Sequence, residues 1–214
     1  MTDDAAQHVI YVHGLWMPGG ESLLLANRLL REFGLQVHAF PYSAASWGME
    51  EITEHLQSFV TSLDVPAVHF VGHSLGGLVI YRFFERYPEQ PPGRVVFLGA
   101  PCVESRAAMA AARLRFVSTL MGPSVADELL KPCERHWTFG RRLGIIAGTQ
   151  SIGLGQFLAG FEEECDGTVA VSETRLEGAT DHLVLPVSHL GMLVSARVAR
   201  ETGLFLTNGR FSLG

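Results

Sequence analysis

Ala67-Val68-His69-Phe70-Val71-Gly72-His73-Ser74-Leu75-Gly76 is the stretch that decides the fold of this chain. The apolar run 67–71 reads as a buried strand, and the residues beyond it (Leu75, Leu78, Val79, Phe83, Tyr87) recur at helical spacing. G-x-S-x-G alone is short enough to arise by chance. Between a strand and a helix it reads as a nucleophile elbow, a turn so sharp that the serine hydroxyl is exposed. Gly72 and Gly76 lie two residues to either side of Ser74, where strand and helix crowd together and a Cβ would clash. The helix N-terminus adds backbone N–H groups and a positive dipole end, both favourable to developing negative charge. Ser74 is therefore the candidate nucleophile.

Outward from the elbow, β-rich runs alternate with amphipathic segments, the pattern of an α/β fold. Strands are expected at 9–13, 35–40, 67–71, 94–98, 143–147 and 182–187, and helices at 20–33, 48–63, 75–87 and 191–206. Gly34 and Pro88 fit as stops of the first and third helices. The strands are nearly continuous apolar runs (Val95-Val96-Phe97-Leu98; Ile145-Ile146-Ala147), as both faces of a covered parallel sheet require. The expectation is an open, doubly wound, mostly parallel sheet of about six strands in the order 2-1-3-4-5-6, with helices on both faces. No repeat or linker interrupts it, so residues 1–214 read as one domain. The segment 102–142 breaks the rhythm. It reads either as a crossover helix with a loop or as a small helical flap over the carboxyl edge of the sheet.

Composition narrows the function classes. The 214 residues are 47% hydrophobic and 18% charged, a globular balance, and a chain of this length buries roughly 70% of its unfolded surface. A net charge of -6, with Arg141-Arg142 as the longest basic pairing, argues against nucleic-acid binding. Three dispersed cysteines (Cys102, Cys133, Cys165) give neither a disulfide framework nor a metal knuckle, and read as free thiols in a reducing compartment. The acidic start Met1-Thr2-Asp3-Asp4 is unlike a signal peptide, and no run approaches the ~18 apolar residues of a membrane span. A cytoplasmic protein is expected.

A serine hydroxyl needs a base within hydrogen-bond reach, and the base needs an orienting partner. In an α/β sheet these groups come from loops at the carboxyl ends of strands. Asp166, in Asp166-Gly167-Thr168-Val169, follows the fifth strand, and His189, in Pro186-Val187-Ser188-His189-Leu190-Gly191, follows the sixth. Asp181 opens the last strand at the opposite end of the sheet, and Glu162, Glu163 and Glu164 read as a solvated loop. Of nine histidines, His69 falls inside a strand, His55 on a helix, His182 at a strand's beginning and His136 in the irregular segment. His189 alone lies just past a late carboxyl strand end. For an oxyanion hole, one N–H is expected from Leu75 and one from Leu15, in the turn His13-Gly14-Leu15. Strand order 2-1-3 places that turn beside the elbow, and Gly14 lets it approach closely.

With these residues in hand, the chain resembles the α/β-hydrolase superfamily of serine esterases and lipases. The matching motifs are His13-Gly14, Gly72-His73-Ser74-Leu75-Gly76-Gly77, Asp166-Gly167-Thr168-Val169 and Ser188-His189-Leu190-Gly191-Met192-Leu193. The last resembles the start of the terminal helix in compact, lidless bacterial lipases. The resemblance implies hydrolysis of a small-molecule or lipid-like ester through an acyl-enzyme, with no cofactor and no metal. The same triad serves thioesterases and acyltransferases, and the fold also hosts non-catalytic binding modules. Two departures stand out: the family's first two antiparallel strands are missing, and so is its large cap unless 102–142 supplies a reduced one, which puts activation by a moving lid in question. Family variants with an aspartate nucleophile are disfavoured by Ser74.

Weaker signals remain. Gly153-Leu154-Gly155 starts like a dinucleotide loop, but the next glycine is Gly160 and the motif fails. Trp16, Met17, Phe40, Tyr42 and Trp47 follow the first two strands and read either as walls of an acyl pocket or as ordinary packing.

Overall fold

The computed structural model describes residues 7–15, 17, 20–44, 46–103, 135–151 and 164–212. Most of the proposed flap (104–134), Trp16, Cys133, Gly153-Leu154-Gly155, Gly160, Glu162 and Glu163 lie outside the described residues. Six strands form one sheet: β1 His8–Val12, β2 Gln36–Ala39, β3 Val68–His73, β4 Val95–Leu98, β5 Leu143–Gly148 and β6 Asp181–Leu185. Their order is β2-β1-β3-β4-β5-β6, as expected, and every pairing among them is parallel. The helices are α1 Leu23–Phe33, α2 Met49–Leu63, α3 Leu75–Arg86, α4 Gly191–Val194 and α5 Ala196–Asn208.

Alternate strand residues feed two cores. Ile10, Val12, Phe70, Val95, Phe97 and Ile145 pack beneath α2 and α3, against Ile52, Leu56, Leu78 and Phe83. Val9, Tyr11, Val71, Val96, Leu98 and Ile146 pack beneath α1 and α5, against Leu25, Leu29, Val198 and Phe205. Burial on both faces is why the central strands carry no polar alternation. The edge strand β2 is only half buried, and its sequence Gln-Val-His-Ala is correspondingly mixed.

Two helix expectations shift. The segment 20–22 is a 3-10 turn, and α1 proper starts at Leu23. The expected last helix, 191–206, is split at Ser195, whose backbone is extended (φ -74°, ψ 125°) and whose hydroxyl accepts from Val198 N–H. That bond caps α5 and ends α4 after a single turn, so the apolar spacing runs on through a break that the backbone makes.

Candidate active site

The elbow is where β3 meets α3. Ser74 has φ 54° and ψ -122°, a conformation rare for a non-glycine residue and costing on the order of 1–3 kcal/mol. Its N–H donates to Leu98 O at 2.9 Å, and its carbonyl accepts from Gly77 N–H at 3.0 Å. A Cβ on Gly72 would stand 2.6 Å from Gly77 N, and one on Gly76 would collide with the carbonyl of Val12. Only glycine at both positions lets α3 pack this tightly over the strand ends.

Register then brings the neighbours in. Val12 pairs with Gly72, so the turn His13-Gly14-Leu15 lies beside the elbow, and a Cβ on Gly14 would be 3.1 Å from the Cβ of Ser74. Tyr42 Oη donates to His13 O at 2.7 Å, and its ring stacks on the His13 imidazole with centroids 4.1 Å apart. His13 Nδ1 in turn holds Gly14 O at 2.8 Å. Phe40 and Tyr42 are buried, with Phe40 packed in the core. Tyr42 braces this turn.

Asp166 follows β5 and His189 follows β6, and the two meet. Asp166 is 1% exposed; its Oδ1 accepts from Thr168 N–H at 2.8 Å and Val169 N–H at 2.7 Å. Its Oδ2 lies 2.7 Å from His189 Nδ1, and His189 N–H donates to Asp166 O at 2.9 Å. A carboxylate can only accept, so Nδ1 is the donor in this bond, and in the neutral imidazole Nε2 keeps its lone pair. An imidazole so oriented and backed by a buried anion is equipped to take up a proton at Nε2.

The structure thus joins Asp166 to His189 directly. It sets the His73 ring, next to Ser74 in the chain, 4.7 Å from the His189 ring, centroid to centroid. Among the described residues the Ser74 hydroxyl makes no hydrogen bond. Leu75 follows it directly in the chain, and Leu15 follows Gly14, whose backbone lies against Ser74. The rivals are engaged elsewhere: Asp181 accepts from Phe211 N–H and His182 N–H, His69 is held by Gln7 and Arg94, and Glu164 is exposed. Sequence reading passed over His73, Gly99 and the bracing role of Tyr42. His73 is the variable letter of the motif, and Gly99 carries only the signal of a glycine directly after a strand. Among the described residues, no group of three or more His, Cys, Asp or Glu is arranged to hold a metal ion.

The model of the Alpha/beta hydrolase family matches residues 9–201. The chain belongs to that family. Its structure is similar to the mature form of lipase BlEst2 from Bacillus licheniformis, at 17% identity and TM-score 0.74, over 98% of this chain and 94% of that one. It is also similar to phospholipase PlaB from Legionella pneumophila (16% identity, TM-score 0.67, 92% of this chain). This α/β-hydrolase chain spans just over half, 56%, of that phospholipase. A third likeness is to the RedJ thioesterase of the prodiginine biosynthetic pathway in Streptomyces coelicolor (14% identity, TM-score 0.60, 94% of this chain and 87% of that one). No curated protein sequence matches it significantly. Among the described residues, no helix of this family member is long and apolar enough to cross a membrane.

Proposed function

We propose that the protein is a serine hydrolase that cleaves carboxylic esters. The observation that carries this reading is the buried Asp166–His189 hydrogen bond beside a strained Ser74 elbow, at one edge of the sheet. Ser74 Oγ attacks the acyl carbonyl while His189 Nε2 takes its proton, and Asp166 stabilises the imidazolium. The N–H groups of Leu15 and Leu75 hold the oxyanion. The imidazolium then gives its proton to the leaving alcohol. Water, deprotonated by the same imidazole, attacks the acyl-enzyme and releases the acid. The substrate is a small-molecule or lipid-like ester, a choice supported by the lipase and phospholipase among the similar structures. We place the reaction in the cytoplasm, in keeping with the free, buried thiols of Cys102 and Cys165.

The likeness to a thioesterase supports a second reading, in which the same residues release an acyl group from sulfur. Turnover of p-nitrophenyl esters against acyl-CoA substrates separates the two. For either, Ser74→Ala lowers turnover by about 10⁶-fold and abolishes labelling by a fluorophosphonate probe. A Ser74→Ala protein that keeps more than a few per cent of wild-type ester hydrolysis would overturn both. A folded wild-type protein that the probe does not label would favour a non-catalytic module on this fold.

A further inference from the structure

We propose that His73 is a positioning residue for the base, its Nε2–H pinning the backbone carbonyl of His189 so that the His189 ring stays in register with Ser74. This rests on the reading of Ser74 and His189 as nucleophile and base. Two bonds fix His189 to Asp166, through its backbone N–H at 2.9 Å and its Nδ1 at 2.7 Å. Neither refers to the elbow. Asp166 and His189 follow β5 and β6, whereas Ser74 follows β3. Among the described residues, the hydrogen bond that ties the elbow segment 72–76 to the base loop 186–190 is His73 Nε2–H to His189 O, at 3.0 Å.

The chemistry of that bond is fixed by its surroundings. A carbonyl only accepts, so the single proton of a neutral His73 ring sits on Nε2. His73 Nδ1 is buried without a partner, beside Gly14, where a Cβ would come within 3.3 Å of it. A second proton on that nitrogen would have no acceptor. Burial, and then the neighbouring His189, push the His73 pKa down to about 3, so the ring stays neutral near neutral pH. The side chain is 1% exposed and offers no contact to a substrate. It acts through His189. A clamp of this kind leaves substrate binding untouched and lowers the fraction of molecules in which the base can reach the serine. Misplacement on the order of 1 Å suffices to cost about 100-fold in rate.

The test compares His73→Met, similar in volume but without a donor, with His73→Gln, which keeps an N–H at similar reach, both in the full chain. Expected is a fall in kcat of between about 10- and 100-fold for His73→Met, with KM within about twofold of wild type and fluorophosphonate labelling slowed in parallel. His73→Gln should restore most of the loss. Equal losses in the two variants, a change confined to KM, or a folded His73→Met protein with wild-type kcat would each overturn the proposal. In the wild-type protein, nitrogen NMR of the His73 ring gives a measurement that does not depend on the variants folding. The Nε2–H tautomer with a slowly exchanging proton is expected, and an Nδ1–H tautomer would sink the clamp. Ser74→Ala is run alongside. If Ser74→Ala is as active as wild type, the triad reading has failed; if it is inactive while His73→Met equals wild type, only the clamp has.

Discussion

Gly99 lies directly against the imidazole of His189: a Cβ at position 99 would stand 3.1 Å from His189 Nδ1 and 2.9 Å from Asp166 Oδ2. The glycine also has φ +55°, in the left-handed region. The residue directly after β4 therefore makes room for the acid–base pair through its missing side chain.

Gly99→Ala should consequently act on the reaction more than on the fold. The left-handed backbone costs an alanine about 1–2 kcal/mol, which the core can absorb. The added methyl group wedges into the Asp166–His189 bond, and kcat/KM for a p-nitrophenyl ester should fall by about 100-fold or more. Thermal melting and steady-state kinetics on the same sample check this. Wild-type kinetics in the variant would mean that the pair does not depend on that space.

Tyr42→Phe isolates the brace on the turn after β1. The ring can still stack on His13, but the buried carbonyl of His13 loses its donor, a loss of about 1–3 kcal/mol in stability. Because this turn carries the Leu15 N–H, kcat should drop by about tenfold while KM changes little. A lowered melting temperature with unchanged kcat would confine Tyr42 to packing.

Acid should destabilise the fold through its buried histidines. The His69 pKa is pushed down to about 4, first by burial and then by Arg94 and Arg141, and that of His73 to about 3. In both, the folded value lies below the 6.5 of an unperturbed imidazole, so between the two values the unfolded chain binds more protons. Their stabilisation is complete above that unperturbed value and drains away as the pH falls through the window. Each contributes a slope of ~1.4 kcal/mol per pH unit there. Urea unfolding followed from neutral pH to about pH 4.5 should show the decline, and His69→Gln should lessen it by about one such slope. An identical slope in that variant would remove His69 from the account.

The sheet was readable because burial on both faces leaves apolar runs such as Val95–Leu98 and Ile145–Ala147, and the rules that govern parallel connections admit few orders. The pairing of Asp166 with His189 was readable for the same reason. Residues that follow strand ends in one parallel sheet share an edge, whatever their separation in the chain. Other features depend on contacts that no local pattern records. The break at Ser195 comes from one hydroxyl capping α5, while the apolar spacing continues across it. That Tyr42 meets the His13 turn is decided by how the β2–α2 loop folds back over β1. Gly99 is one of 23 glycines, and its necessity emerges only when β5 and β6 bring their loops over it.

Every pairing in the sheet joins strands that are separated by a crossover, and the Asp166–His189 contact needs β5 and β6 side by side before it can form. Contacts of such long sequence separation arise late, after local helices are in place. On the proposed mechanism, reactivity toward a fluorophosphonate label is thus expected only once β5 and β6 have paired. Counting labelled chains during refolding would count native ones.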